Sequence, residues 1–107
     1  MEQPNLSYIN SIAKGNNDFM DEFVVMISDE LNTDIKEYYN YLEKEDLKKT
    51  KVYVHRIKHK MSILSLEKSY EITNNYENNL RDKNFDGQEY FESMLPIMVN
   101  FLNSLKK

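Results

Sequence analysis

Apolar residues return every three or four positions along most of the chain, which is the spacing that places them on one side of an α-helix. A short segment of this kind runs from Leu6 to Ala13, and Gly15 with the pair Asn16-Asn17 then provides a helix stop and an N-cap. The longest region runs from Asp18 to about Glu43. Its apolar positions are Phe19, Phe23, Met26, Ile27, Leu31, Ile35, Tyr38, Tyr39 and Leu42. The pattern predicts a short helix followed by a long amphipathic one.

Three more helices follow from the same periodicity. Asp46 is the expected N-cap of the next helix, whose apolar side is formed by Leu47, Thr50, Val54, Ile57, Met61 and Leu64. Another helix spans Leu66 to Leu80 and ends at the polar cluster from Asp82 to Gly87. The last begins near Gln88 and continues to the end of the chain, and we expect Pro96 to kink it.

These elements define an all-α fold. The chain has only two glycines and two prolines, too few turn formers for an all-β protein. Four one-sided helices with short connections bury their apolar sides most simply as an antiparallel four-helix bundle, with the short first helix across one end. A length of 107 residues suits a single domain, 1–107, with one core.

Composition and charge narrow the class of protein. Hydrophobic residues make up 40% of the chain and charged residues 30%, values that fit neither a disordered segment nor a membrane protein. The longest apolar run, Phe23 to Ile27, is far too short to cross a bilayer, and the first residues lack a signal-peptide pattern. There is no cysteine, hence no disulfide framework and no thiolate metal site. We therefore expect a cytoplasmic monomer that binds no membrane.

The stretch "VHRIKHKMS", Val54 to Ser62, holds both histidines of a chain whose net charge is -4, together with three cations. Projected at about 100° per residue, a polar stripe lies within about 60° of His55, opposite the apolar side of the helix. Its members are Lys48, Lys51, Lys58, His59 and Ser62. His55 should therefore face solvent. Val52 and Ile63 lie beside this stripe, where apolar side chains indicate a docking surface.

The segment "HRIKHKMSILSL" resembles the signature of the histidine phosphotransfer (HPt) family, in which a helical histidine is followed three residues later by lysine. The passages "NLSYINSIAKGNNDFMDEFV" and "LEKEDLKKTKVYVHRIKHK" are also similar to the corresponding parts of that family. The resemblance covers nearly the whole chain. Two positions differ from the common pattern, since His59 replaces glycine or serine and Ser65 replaces glycine.

The resemblance implies a phosphorelay intermediate. His55 would accept a phosphoryl group from a phospho-aspartyl receiver domain and pass it to another receiver, and Lys58 would stabilise the transferred group. The implied partners are response-regulator receivers, which bring their own Mg²⁺, and a hybrid sensor histidine kinase. The chain itself has no glycine-rich phosphate loop and no acidic cluster in sequence next to His55, so we expect no cofactor and no kinase activity of its own. Residues expected to contact the partner are Lys51, Val52, His59, Ser62 and Ile63.

Two metal sites are conceivable from sequence. His55 and His59 have the i, i+4 spacing of H-E-x-x-H zinc enzymes, but Arg56 replaces the glutamate and Lys58 and Lys60 would repel a cation. The segment "DKNFDGQEYFES", Asp82 to Ser93, begins like a calcium-binding EF-hand loop, but serine occupies the position of the bidentate glutamate. A turn between helices explains its Asp, Asn and Gly residues. We therefore expect neither catalytic zinc nor calcium.

Two other functions are conceivable from the sequence. Nucleic-acid binding is disfavoured because the net charge is negative and the lysines form one short stripe without interleaved aromatic residues. The alternative that stays open is a helical-bundle interaction module, a degenerate relay domain that binds signalling partners without phosphotransfer. In that case the lysine-rich stripe is an ordinary solvated helix face.

Overall fold

The computed structural model describes residues 1–106, which form five helices and no strand. The helices are α1 (Ser7–Ala13), α2 (Asn17–Glu43), α3 (Leu47–Ile63), α4 (Glu67–Arg81) and α5 (Gln88–Leu105). The predicted all-α class is confirmed, and each helix lies close to its predicted position. Within residues 1–106, none of the helices combines the length and the apolar character that crossing a membrane requires.

The predicted helix ends have the expected local chemistry. The side chain of Asn16 accepts a hydrogen bond from the backbone N–H of Phe19 at 3.0 Å, which caps α2. Asp46 does the same for Lys49 at 3.1 Å and so begins α3. Gly15, just after α1, has a φ of 82°, in the left-handed region where a residue without a Cβ is favoured. Local sequence therefore fixes where α2 and α3 begin.

The last helix and the loop before it differ in part from expectation. α5 runs without a break through Pro96, whose ring lies on an exposed side of the helix. The predicted bend at Pro96 stays a prediction. Because α5 begins at Gln88, the second half of the EF-hand-like segment is helical and is not part of a loop. The first half forms a turn in which the side chain of Asn84 accepts from the N–H of Asp86 at 2.9 Å.

α3, the helix that carries His55, packs against α2 and α4, and α5 packs against the same two helices. On the core side of α3, Val54, Ile57 and Met61 are fully buried, as predicted. Side chains from all five helices complete the core, among them Ile9, Leu31, Tyr76 and Phe91. The opposite side of α3 is left for polar residues.

The buried face of α2 agrees in part with its apolar spacing, since most of the predicted positions are buried or packed against the core: Phe23, Ile27, Leu31, Ile35, Tyr38 and Leu42. Phe19, Met26 and Tyr39 are exposed, whereas Val24 and the charged residue Asp34 are buried. The buried surface of α2 extends beyond the predicted stripe because α2 contacts α1, α3 and α5. The spacing of apolar residues cannot predict that a carboxylate is buried.

A hydrogen-bonded network in the core sets the position of α4. The hydroxyls of Tyr38 and Tyr76 lie 2.7 Å apart, and Tyr38 also donates to Glu92 at 2.8 Å. Burial raises the pKa of both tyrosines, that of Tyr76 to about 12. A Cβ on Gly87 would lie 3.0 Å from the Cβ of Tyr76, so the turn before α5 passes close to the same point. Tyr76 anchors α4, and the residue after it, Glu77, is placed accordingly.

The amino-terminal segment fixes the other end of α4. The N–H of Asn5 donates to the carbonyl of Leu64 at 3.0 Å. The carboxylate of Glu2 accepts from the N–H groups of Lys68 and Ser69 at 3.0 and 2.7 Å, and thus caps α4 from outside the helix. Burial alone would raise the pKa of Glu2, but a hydrogen bond from the Ser69 hydroxyl, together with those from the two N–H groups, lowers it. α4 is therefore held at its start by Glu2 and near its end by Tyr76.

Candidate functional site

His55 lies on the side of α3 away from the core, and half of its side chain, 50%, is exposed. The expectation that this ring faces solvent is confirmed. The apolar residues on the opposite side of the helix hold α3 in place, so the imidazole is presented by a rigid element.

Glu77 of α4 holds the His55 ring. Its two carboxylate oxygens lie 3.2 and 3.1 Å from His55 Nδ1. An ionised carboxylate only accepts hydrogen bonds, so this contact places the proton on Nδ1 and the lone pair of the neutral ring on Nε2. The arrangement supplies an exposed imidazole with a defined tautomer.

Lys58 is not the solvent-exposed cation that its place in the polar stripe indicates. Its side chain is only 7% exposed, because it lies at the edge of the stripe that faces α4. There its Nζ is 3.0 Å from Glu77 Oε1, donates to Asn74 Oδ1 at 3.0 Å and lies 5.4 Å from the centre of the Tyr70 ring. Glu77 therefore bridges Lys58 and His55.

His59 stands beside His55 on the same face. The two Nε2 atoms are 3.0 Å apart, and the ring centroids are separated by 4.5 Å with nearly perpendicular planes. Partial burial, followed by the neighbouring charges of His55 and Lys58, lowers the pKa of His59. Since His55 Nδ1 carries its proton toward Glu77, His59 is placed to donate to the Nε2 of His55. We call His55, Lys58, His59 and Glu77 the open cluster.

The other expected contact residues lie around this cluster. Lys51 and Val52 line a surface groove of about 410 Å³ together with His55 and Glu77, and Val52 is half exposed. Ser62 is exposed and lines a second groove, whereas Ile63 is partly buried against the core. The groove beside His55 thus joins an apolar side chain to cationic ones.

The remaining cations of "VHRIKHKMS" face the opposite neighbour. Arg56 Nε donates to Asp34 Oδ1 at 2.7 Å, and Lys60 Nζ donates to Asp34 Oδ2 at 2.8 Å and lies 3.3 Å from Glu30. Asp34, on α2, is fully buried and raises the pKa of the Arg56 guanidinium through this hydrogen bond. We call Asp34, Arg56 and Lys60 the buried cluster.

Sequence reasoning missed Glu77, Asn74 and Tyr70, the α4 side chains that surround Lys58. Their spacing of four and three residues places them on one face of α4, which is a visible signal. That signal becomes specific only when α4 is known to pack against the His55 side of α3. The pairing of helices, and not the spacing alone, brings these residues to the site.

No family model matches this chain, and no curated protein or solved structure does so either. The function of the site is therefore inferred from the contacts and exposure of its own residues. An exposed imidazole with a fixed tautomer suits nucleophilic or proton-transfer chemistry, and paired imidazole nitrogens also suit metal binding.

Proposed function

We propose that this protein is a phosphorelay intermediate of the histidine phosphotransfer type, which carries a phosphoryl group on His55 between receiver domains. The observation that carries the proposal is the contact of His55 Nδ1 with Glu77 at 3.1 Å on a ring that is half exposed. It leaves Nε2 as the nucleophile and orients the ring through the opposite nitrogen. The sequence resemblance gives the same assignment.

Every group that the transfer step needs is supplied by this protein or by the receiver. The Nε2 lone pair attacks the phosphorus of a receiver's phospho-aspartate, an N–P bond forms, and the P–O bond to the aspartate breaks with its electrons left on the carboxylate. The ring then keeps its Nδ1 proton and gains a positive charge, which the carboxylate of Glu77 stabilises. Attack by a second receiver's aspartate on the same phosphorus reverses the step. The receiver supplies Mg²⁺ in both directions.

Lys58 stabilises the phosphoryl group in this proposal. The group adds close to two negative charges one helical turn from Lys58, and these compete with Glu77 for the ammonium. Lys58 is held near the site by Asn74 and by the face of Tyr70. Its charge is thus kept close to the reacting nitrogen before the phosphoryl group arrives.

The proposed fold for this role is an antiparallel four-helix bundle of α2 to α5, with α1 at one end. It is supported by the packing of α3 and α5 each against both α2 and α4, and by short connections between successive helices. Such a bundle presents one face of α3 to a docking receiver.

The proposed partners are response-regulator receivers and a hybrid sensor histidine kinase, in the cytoplasm. A receiver would dock over His55, with Val52 and Ile63 as apolar contacts and Lys51, His59 and Ser62 as polar ones. The half-exposed Val52 beside charged neighbours supports this surface, because an apolar centre with a polar rim is typical of protein interfaces.

The experiment is incubation of the full chain with receivers charged by acetyl phosphate, followed by detection of phosphohistidine, which is labile in acid and stable in base. His55→Gln should abolish the label. Lys58→Ala should slow transfer without abolishing it, because a cation helps the transition state but is not the nucleophile. His59→Gln is the matched control and should still label, since lysine follows His55 after three residues, whereas serine follows His59.

A second candidate is an interaction module without phosphotransfer. One observation favours it: His59 Nε2 lies 3.0 Å from the nitrogen that would attack, and this contact must open before a phosphorus atom can approach. If the protein binds receivers but never labels, this module is the better description. If His59→Ser labels faster than the unaltered protein, the contact is a restraint on a working carrier.

A further inference from the structure

The paired imidazoles of α3 present two metal-ligating nitrogens to one point. His55 and His59 are four residues apart on one helix, and their Nε2 atoms are 3.0 Å apart. Two histidine nitrogens on one tetrahedral zinc ion, each bonded at about 2.0–2.1 Å, stand about 3.3–3.4 Å apart. A small rotation of either side chain reaches that separation. The half-exposed His55 ring leaves room for an ion on the solvent side.

The electrostatic objection raised by the sequence is weaker in the folded protein. Lys58 and Lys60 are the cations next to His59, and both side chains are only 7% exposed. Lys58 is paired with Glu77 at 3.0 Å, and Lys60 is paired with Asp34 at 2.8 Å. Each positive charge is therefore balanced by a carboxylate on a neighbouring helix. Neither ammonium points freely toward the two rings.

Glu77 adds the outer contact that zinc-binding histidines ordinarily have. A ligating imidazole usually donates its second ring N–H to a carboxylate, which fixes the tautomer and raises the basicity of the ligating nitrogen. His55 donates from Nδ1 to Glu77 in this way. The site thus contains two ligands and one supporting carboxylate.

We propose that His55 and His59 bind a divalent ion of the Zn²⁺ class through their Nε2 atoms, at the nitrogen that would carry the phosphoryl group. Among residues 1–106 no group of three or more His, Cys, Asp and Glu side chains is arranged as a metal site. Two protein ligands leave the other positions to water, so this is an exchangeable and non-catalytic site. The bound ion would block phosphotransfer, because Nε2 of His55 holds either the ion or the phosphoryl group. This consequence rests on the proposed function, whereas the binding of the ion does not.

Calorimetric titration of the full chain with ZnCl₂, in a buffer that does not bind zinc, tests the binding. We expect one ion per chain. His55→Gln and His59→Gln should each weaken binding at least tenfold, and Glu77→Gln should weaken it about tenfold, the lower end for loss of such a supporting carboxylate. Lys51→Gln is the control and should bind at least as tightly as the unaltered protein. The proposal would be overturned if both histidine variants bound zinc as tightly as the unaltered protein, or if the unaltered protein showed no saturable binding at millimolar zinc.

Protection from diethyl pyrocarbonate tests the exclusion without any receiver. The reagent acylates unprotonated imidazole nitrogens, and mass spectrometry locates the adduct. Zinc should slow the modification of His55 in the unaltered protein but not in His59→Gln, and MgCl₂ should slow it in neither. Modification of His55 at an undiminished rate in saturating zinc would refute exclusion. Because no phosphotransfer is involved, zinc protection would stand even if His55 never labels with any receiver.

Discussion

The open cluster and the buried cluster take their α3 side chains from the same nine-residue stretch, Val54 to Ser62, but differ in exposure and chemistry. In each, one carboxylate of a neighbouring helix accepts hydrogen bonds from two side chains of α3: Asp34 of α2 from Arg56 and Lys60, and Glu77 of α4 from His55 and Lys58. The carboxylate of Asp34 is fully buried, whereas the Glu77 side chain touches a half-exposed ring.

This difference explains why so many cations lie within a few residues in an acidic protein. Arg56 and Lys60 join α3 to α2, and Lys58 joins it to α4, so all three cations of the stretch connect helices. Arg56 is half exposed as well, but its guanidinium is a permanently charged donor, so only His55 and His59 offer a ring nitrogen that can act as a nucleophile or a metal ligand. The comparison assigns stability to the buried cluster and chemistry to the open one.

Removal of the charge of Asp34 should have the largest effect on folding. Asp34 accepts hydrogen bonds at both oxygens, so Asp34→Asn must turn its NH₂ group toward either Arg56 or Lys60. In either orientation the buried Lys60 ammonium loses the negative charge of Asp34 and keeps Glu30, at 3.3 Å, as a carboxylate partner. We expect the free energy of unfolding to fall by roughly 3 kcal/mol, the lower end for breaking a buried pair. Urea denaturation measures it, and a loss below about 1 kcal/mol would show that the cluster does not stabilise the fold.

The matched change in the open cluster, Glu77→Gln, should cost less stability. The carboxylate oxygen near Lys58 also lies 3.2 Å from His55, so one amide oxygen can serve both donors while the NH₂ group turns away. Lys58 also keeps Asn74. We expect a loss of about 1 kcal/mol in the same denaturation assay, with slower labelling of His55 because a neutral amide stabilises the positively charged phosphorylated ring less than a carboxylate does. If Glu77→Gln destabilises the protein more than Asp34→Asn, the assignment of roles is reversed.

The fold could be predicted from the sequence to a large extent, because helix periodicity and N-caps are local signals. Asn16, Asp46 and the buried face of α3 were found in this way. The buried face of α2 was found only in part, because Asp34 lies in the core where it pairs with Arg56 and Lys60 of another helix. A pattern of apolar residues gives no information about a charge that is buried with its partners.

The site was predictable only in its two histidines, His55 and His59, which lie on one exposed face of α3 as the spacing predicts. His55 follows from the position of the apolar stripe on α3, which lies opposite. The environment of Lys58 does not, because a residue at the edge of a stripe is exposed or buried according to which helix packs beside it. Glu77 is one of many glutamates until α4 is placed against α3. Tertiary packing supplies the information that helix periodicity lacks.

Replacement of His55 should have little effect on stability. Its side chain is half exposed, and its one contact to another helix is with Glu77, which keeps Lys58. We expect His55→Gln to change the free energy of unfolding by less than about 0.5 kcal/mol, as for other surface substitutions. Helix content by circular dichroism and the urea midpoint measure this. A loss comparable to that of Asp34→Asn would mean that the open cluster also holds the fold together.

The smallest expected effect is on the pH dependence of stability, and it separates the two clusters. The pKa of His59 is lowered by partial burial and by the charges of His55, Lys58 and Lys60, which outweigh the opposite effect of Glu77. The unfolded chain therefore binds a proton at this position more readily than the folded one, so stability falls as the pH drops below about 6.5, the ordinary histidine value. In the buried cluster, the Arg56 guanidinium, whose pKa is raised by Asp34, stays charged over that range. Unfolding free energies measured from pH 8 to pH 5 with EDTA present should show a shallower acid decline for His59→Gln than for the unaltered protein. If the unfolding free energy of His59→Gln falls with decreasing pH as steeply as that of the unaltered protein, or more steeply, this account of the open cluster is wrong.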